Sequence, residues 1–248
     1  MVLAACAAGA LPVRADEERR QGDIDVSLSH ESSSGRYGQA SRTRIGQTTL
    51  GLRYRASTWW AELEIPWIEV RDPAGASLPD VAGGGVATVE RGLGDAWIKG
   101  GIELVPAGDD ATGVELVAKF KTRTGDAARG LGTGGTDWAF QLEFFRPVGA
   151  WGLFGHAGFR ITGDVEGARA YRDPLYAELG VSRRFSRTWD GGTYLTVREA
   201  VGALGPVREA TVFAAYSAGA WRHQLYLTRG LSRASPDLAL GLGVRRRF

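Results

Sequence analysis

From Asp23 to Phe248 apolar and polar residues alternate with a period of two, and no apolar stretch in that region approaches the roughly eighteen residues that a membrane helix needs. A chain with this pattern folds as strands, and if it enters a bilayer only a closed barrel satisfies its backbone groups. The first segment, Asp23-Ile24-Asp25-Val26-Ser27-Leu28-Ser29-His30, alternates strictly. Later cases set Leu50, Leu52 and Tyr54 against Arg53 and Arg55, and Leu63, Ile65 and Trp67 against Glu62 and Glu64. Ile98 and Ile102 oppose Lys99 and Glu103; Val114, Leu116, Ala118 and Phe120 oppose Glu115, Lys119 and Lys121. Trp138, Phe140, Leu142 and Phe144 oppose Gln141 and Glu143, and the last strand sets Leu238, Leu240, Leu242 and Val244 against Arg245 and Arg247. Weaker runs at Leu153 to Thr162, Leu175 to Arg184, Thr193 to Val201, Ala210 to Ser217 and Trp221 to Arg229 bring the expected total to about twelve strands of about nine to twelve residues, long enough to cross a bilayer at a tilt.

Alternation does not say which face meets lipid, because a soluble barrel has the same period with its apolar face inward. The connections favour a membrane. Ser32 to Arg42, Val70 to Gly92, Thr124 to Gly135 and Gly163 to Asp173 are long, whereas Ala56 to Thr58, Val105 to Ala111 and Arg146 to Ala150 are short. Short periplasmic turns and longer extracellular loops are the outer-membrane pattern. Trp59, Trp60, Trp67, Trp138, Trp151, Trp189 and Trp221 fall at or near strand ends, where amphipathic rings settle at the interface. The expected fold is therefore an all-β, antiparallel, up-and-down transmembrane barrel over residues 16–248, surrounded by outer-membrane lipid. Phe248 lies on the apolar phase of the last strand and reads as a signal to the barrel-assembly machinery, with Arg246 where an aromatic residue is more usual.

The beginning of the chain reads as an export signal. Val2 to Val13 is apolar and small, and Val13-Arg14-Ala15 precedes the charged Asp16-Glu17-Glu18-Arg19-Arg20, so residues 1–15 are the expected signal peptide, cut after Ala15. Met1-Val2-Leu3 lacks the usual basic opening, which leaves room for a start upstream. Leu3-Ala4-Ala5-Cys6 matches a lipoprotein pattern, but too few apolar residues precede Cys6, and it is read as part of the discarded segment. A mature chain without cysteine suits an oxidising compartment.

Several Gly-rich segments carry a family resemblance. Gly92-Leu93-Gly94-Asp95, Gly130-Leu131-Gly132-Thr133-Gly134-Gly135-Thr136-Asp137-Trp138, Phe145-Arg146-Pro147-Val148-Gly149 and Gly230-Leu231-Ser232-Arg233-Ala234-Ser235-Pro236-Asp237 stand in an order and spacing similar to the outer-membrane transporter family named after the meta pathway of phenol degradation. The likeness runs from about residue 24 to 248. It implies an outer-membrane barrel that moves small apolar or aromatic compounds.

The charged phase of the strands should line the lumen: Arg53, Arg55, Glu62, Glu64, Asp95, Lys99, Glu103, Glu115, Lys119, Lys121, Glu143, Arg160, Glu178, Arg198, Arg245 and Arg247. Only a wet or hydrogen-bonded interior holds so many charges inside a membrane barrel. Neighbouring strands can pair Glu115 with Lys99, and Glu62 and Glu64 with Arg53 and Arg55. About twelve strands should enclose a narrow or partly obstructed pore.

His30, His156 and His223 lie in different strands and show no metal-ligand spacing, and no cofactor motif is present. With acids and bases mixed along the chain and a net charge of +2, nucleic acid is not an expected partner. The one catalytic alternative is His30-Glu31-Ser32-Ser33-Ser34-Gly35-Arg36, similar to a segment of outer-membrane phospholipase A, with His30 and Ser32 on one strand face. In that segment Ser33 replaces the family's Asn. The expected function is a channel without catalysis; the alternatives are a lipid hydrolase and a soluble periplasmic ligand-binding barrel.

Overall fold

A computed structural model describes residues 22–37, 42–71, 89–108, 111–163, 172–201 and 205–248. The expected signal peptide, Cys6 included, lies outside the described residues.

The strands are β1 (Asp23–Gly35), β2 (Thr43–Arg55), β3 (Trp59–Arg71), β4 (Val89–Leu93), β5 (Trp97–Val105), β6 (Gly113–Lys121), β7 (Asp137–Val148), β8 (Trp151–Ile161), β9 (Leu175–Arg184), β10 (Trp189–Arg198), β11 (Val207–Ala218), β12 (Trp221–Gly230) and β13 (Leu238–Arg247). All the pairings are antiparallel, and β1 pairs with β13, so the sheet closes on itself. Closure leaves no open edge, which is what hydrocarbon demands of a sheet.

The thirteen segments make twelve staves, because β4 and β5 both lie along β3. Val89–Leu93 faces Trp67–Arg71, and Trp97–Ile102 faces Trp59–Glu64. Between them Gly94, Asp95 and Ala96 leave the ladder, opposite Pro66. A proline has no N–H to donate, so it fits at such an interruption; its carbonyl instead accepts the Gly94 N–H at 2.8 Å.

The phase of the alternation places the apolar residues outside. Leu50, Leu52, Leu63, Ile98, Ile102, Leu116, Leu142, Leu195, Leu225, Leu240 and Leu242 are each at least 40 % exposed, while Glu62, Glu64, Lys99, Lys119 and Lys121 are buried. A soluble ligand-binding barrel would have the reverse arrangement, so that alternative is set aside.

Connections at one end are 56–58, 106–112, 149–150, 185–188 and 219–220; at the other end they are 36–42, 72–88, 122–136, 162–174, 199–206 and 231–237. The strands run further than the alternation indicates. β1 continues through the Ser-rich segment to Gly35, and β4 forms within the expected 70–92 loop. Exposed Trp59, Trp151, Trp189 and Trp221 ring the short-turn end and Trp138 stands at the other. Trp60 is a correction: at 6 % exposure it points into the barrel and not to the lipid interface. Its neighbour Trp59 already occupies the outward phase, and adjacent strand residues point to opposite faces.

Candidate functional site: the lumen

Most of the charged residues expected in the lumen lie on the inward phase of the strands, with Asp95 at the break between β4 and β5, and many of them fall into two clusters. Near the short-turn end, Arg53 donates to Glu62 at 2.8 Å, and Lys99 lies 2.6 Å from Glu64 and 3.9 Å from Glu62. The Arg53 guanidinium also lies 4.2 Å from the centre of the Trp60 ring, whose Nε1–H donates to Glu115 at 3.3 Å. Gly101 makes room for that ring, since a Cβ there would come within 2.3 Å of it. Arg55 stands 3.8 Å from Asp25, and Arg247 stands 3.5 Å from Asp25 and 3.6 Å from Asp23. Glu103 and Arg245 are half-buried on the same inward phase near this end.

The second cluster surrounds Asp95, which is completely buried at the interruption between β4 and β5. Its carboxylate accepts the backbone N–H groups of Gly125 at 2.9 Å and Thr133 at 2.8 Å, and the Thr133 hydroxyl at 3.2 Å. Lys121 lies 3.7 Å from Asp95 and 2.8 Å from Asp137, and also donates to Thr133. Arg160 approaches Asp137 at 3.8 Å. One carboxylate thus ties the 122–136 connection down into the barrel mouth. Leu131 of that connection is buried with Tyr37, Ile45, Ile68 and Val70 as an apolar cluster.

The opposite wall is aromatic. Phe154, Tyr194 and Phe213 lie 6.2 to 6.3 Å apart between ring centres, and Tyr226 and Phe145 pack against them. Inward glycines create the space: a Cβ on Gly180 would come within 2.4 Å of Phe154, and one on Gly241 within 2.0 Å of Tyr226. The Tyr226 hydroxyl donates to Glu31 at 2.7 Å, and Glu178 accepts from Thr196 at 3.1 Å. Lys119 lies 6.0 Å from the Tyr176 ring, which also meets His156 edge-on. Glu143 accepts from Gln141, and Arg198 is half-buried on the inward phase of β10. Arg222 holds Asp190 through two bonds of 2.9 and 2.8 Å.

Sequence reasoning did not pick out Asp25, Asp137, Arg222 or the aromatic wall. In Leu153-Phe154, Val212-Phe213 and Trp59-Trp60 both phases are bulky and apolar, so alternation alone does not assign the inward ring. The available signal was the set of inward glycines on neighbouring strands.

The structure of an outer membrane channel from Pseudomonas putida F1 superposes with a TM-score of 0.77 over 96 % of this chain and 100 % of that one, at 13 % identity. The fold is that of an outer-membrane β-barrel. The translocator domain of the autotransporter NalP from Neisseria meningitidis follows with a TM-score of 0.56, 13 % identity, and coverage of 99 % of this chain and 93 % of that chain. The CymD monoaromatic hydrocarbon channel gives a TM-score of 0.50 at 12 % identity over 92 % of this chain and 89 % of that one. No family model and no curated protein sequence matches the chain.

The barrel also locates the candidate catalytic pair. His30 and Ser32 are both exposed on the outer face of β1, but His30 Nδ1 is 2.9 Å from the Thr48 hydroxyl on β2. That contact ties His30 across the sheet to a neighbouring strand, and nothing in it prepares Ser32 as a nucleophile.

Proposed function

We propose that the chain is an outer-membrane channel for small apolar or aromatic compounds and carries out no catalytic step. The observation behind this reading is the content of the lumen: an apolar cluster on the β2–β3 side of the mouth and an aromatic wall opposite, inside a barrel whose outer surface is already apolar. A hydrophilic pore has no use for Phe154 and Phe213 on its inward phase or for Leu131 in the 122–136 connection, whereas an apolar solute leaving water gains about 25 cal/mol for each Å² it buries against such surfaces. The inward 122–136 connection narrows the entrance. Two similar barrels are an outer membrane channel and a monoaromatic hydrocarbon channel, which agrees with this reading. Lumen lining by the charged residues, the short turns facing the periplasm, and Phe248 as the assembly signal belong to the same proposal.

Uptake of radiolabelled toluene by cells producing the barrel, set against sugar permeation through proteoliposomes, tests it. The expected result is toluene uptake several-fold faster than in cells lacking the barrel, with little sugar permeation. Equal acceleration of both solutes would make the barrel a general pore, and acceleration of neither would remove the channel reading.

A further inference from the structure

The short-turn end repeats one local design. Gly149-Ala150-Trp151 and Gly219-Ala220-Trp221 are two hairpin turns of the same sequence, with φ of 58° and 56° at their glycines, a left-handed conformation that glycine adopts without strain. Each turn releases its Trp as the first residue of a strand, on the outward phase. Directly across each Trp stands an arginine: Arg183 of β9 opposite Trp151, and Arg246 of β13 opposite Trp221. Each guanidinium lies 5.1 Å from the centre of its ring, and Arg246 lies a further 4.5 Å from Phe248.

Both arginines are exposed, and among the described residues neither has a carboxylate partner. No described Asp or Glu occupies an outward strand position at this end; the outward neighbours are Leu153, Val181 and Val244 together with Arg146 and His223, neither of which supplies a negative charge. Arg222, next to Trp221 but on the inward phase, has both its terminal nitrogens bonded to Asp190. The same side-chain type is therefore paired with an acid inside the wall and left without one outside it.

We infer that Arg183 and Arg246 form two binding sites for the phosphate groups of anionic phospholipids in the leaflet at the short-turn end. An arginine at the membrane edge costs little compared with one at mid-depth. The ring beside each guanidinium attracts it, and a guanidinium offers the two-pronged bonding that phosphate accepts. The position, on the lipid side of the wall and directly below apolar residues, selects a headgroup whose acyl chains lie along those residues. This site is separate from the lumen, so it stands or falls independently of the channel reading.

The test is native mass spectrometry of the purified barrel equilibrated with equal amounts of phosphatidylglycerol and phosphatidylcholine. Wild type should retain phosphatidylglycerol several-fold over phosphatidylcholine. Arg183→Gln and Arg246→Gln should each lose about half of that preference and the double variant nearly all of it, while Arg229→Gln, outward at the opposite end, should keep it. Heat-modifiable gel mobility reports folding; because Arg246 is in the terminal strand, Arg183→Gln and Trp151→Leu decide the matter if Arg246→Gln does not fold. Equal retention of the two lipids by wild type, unchanged preference in Arg183→Gln, or an equal loss in Arg229→Gln overturns the proposal.

Discussion

On the β2–β7 side the lumen wall is mainly a lattice of opposite charges, whereas on the β8–β12 side packed rings dominate, with the Arg222–Asp190 pair beside them. Lys121 is 1 % exposed beside Asp95 and Asp137, and Phe154 is 4 % exposed beside Tyr194 and Phe213, so the two walls exclude water to a similar degree. They differ in what a deletion leaves behind. Removing a ring loses contact area and leaves a space that water or a solute can enter. Removing one charge strands its partners in a site already stripped of water, which costs more than the pair itself contributes. The charged wall is therefore the brittle one, and the aromatic wall has freedom to vary with the solute.

The largest expected effect is that of Lys121→Met. Asp95 and Asp137 would lose their shared cation, at a cost of about 3 to 5 kcal/mol. Urea unfolding in lipid vesicles reads it, and conductance should rise in the same variant because the 122–136 connection loses part of its anchor. If stability and conductance both stay at the wild-type level, the two walls do not differ as argued.

The outer face comes next. Ala118→Arg places a charge against lipid and should cost about 2 to 4 kcal/mol near mid-depth. Wild-type folding and insertion by that variant would mean that the inward and outward phases of β6 are reversed.

Phe154→Leu keeps an apolar side chain in the aromatic wall and should cost only about 1 kcal/mol, while toluene uptake changes by more than sugar permeation does. An equal change for both solutes would deny the aromatic wall any part in selection. The smallest stability effect belongs to Lys119→Ala, because Lys119 lies 6.0 Å from the Tyr176 ring and, among the described residues, bridges no pair of carboxylates as Lys121 does. Its expected signature is altered ion selectivity in planar bilayers, and a stability loss as large as that of Lys121→Met would show that all inward lysines are equivalent.

The same contrast explains how much was legible in the sequence. Where one phase is apolar and the other charged, as in Leu116-Val117-Ala118-Lys119-Phe120-Lys121, the period of two assigns the faces directly, and β9 spans Leu175–Arg184, as its alternation indicates. The lumen charges follow from the same rule. Trp60 and the aromatic wall do not, because their strands carry bulky apolar side chains on both phases. The role of Asp95 was also out of reach, since its bonds to Gly125 and Thr133 join residues 30 and 38 positions apart and exist only once the 122–136 connection has turned inward. Likewise Gly92-Leu93-Gly94-Asp95 reads as the opening of one strand, although it contains the break within a stave.

The seam between β1 and β13 is a continuous antiparallel ladder like those between most neighbouring staves. Asp25 sits opposite Arg247, and Ile24 and Phe248 exchange both of their backbone hydrogen bonds, at 3.3 and 2.8 Å. Geometrically the ring has no first stave. A circular permutant, opened at Gly149–Ala150 and joined by a short linker between Phe248 and Gly22, would keep every ladder, both lumen walls and the order of staves around the axis, and would differ only in which pair of strands meets last.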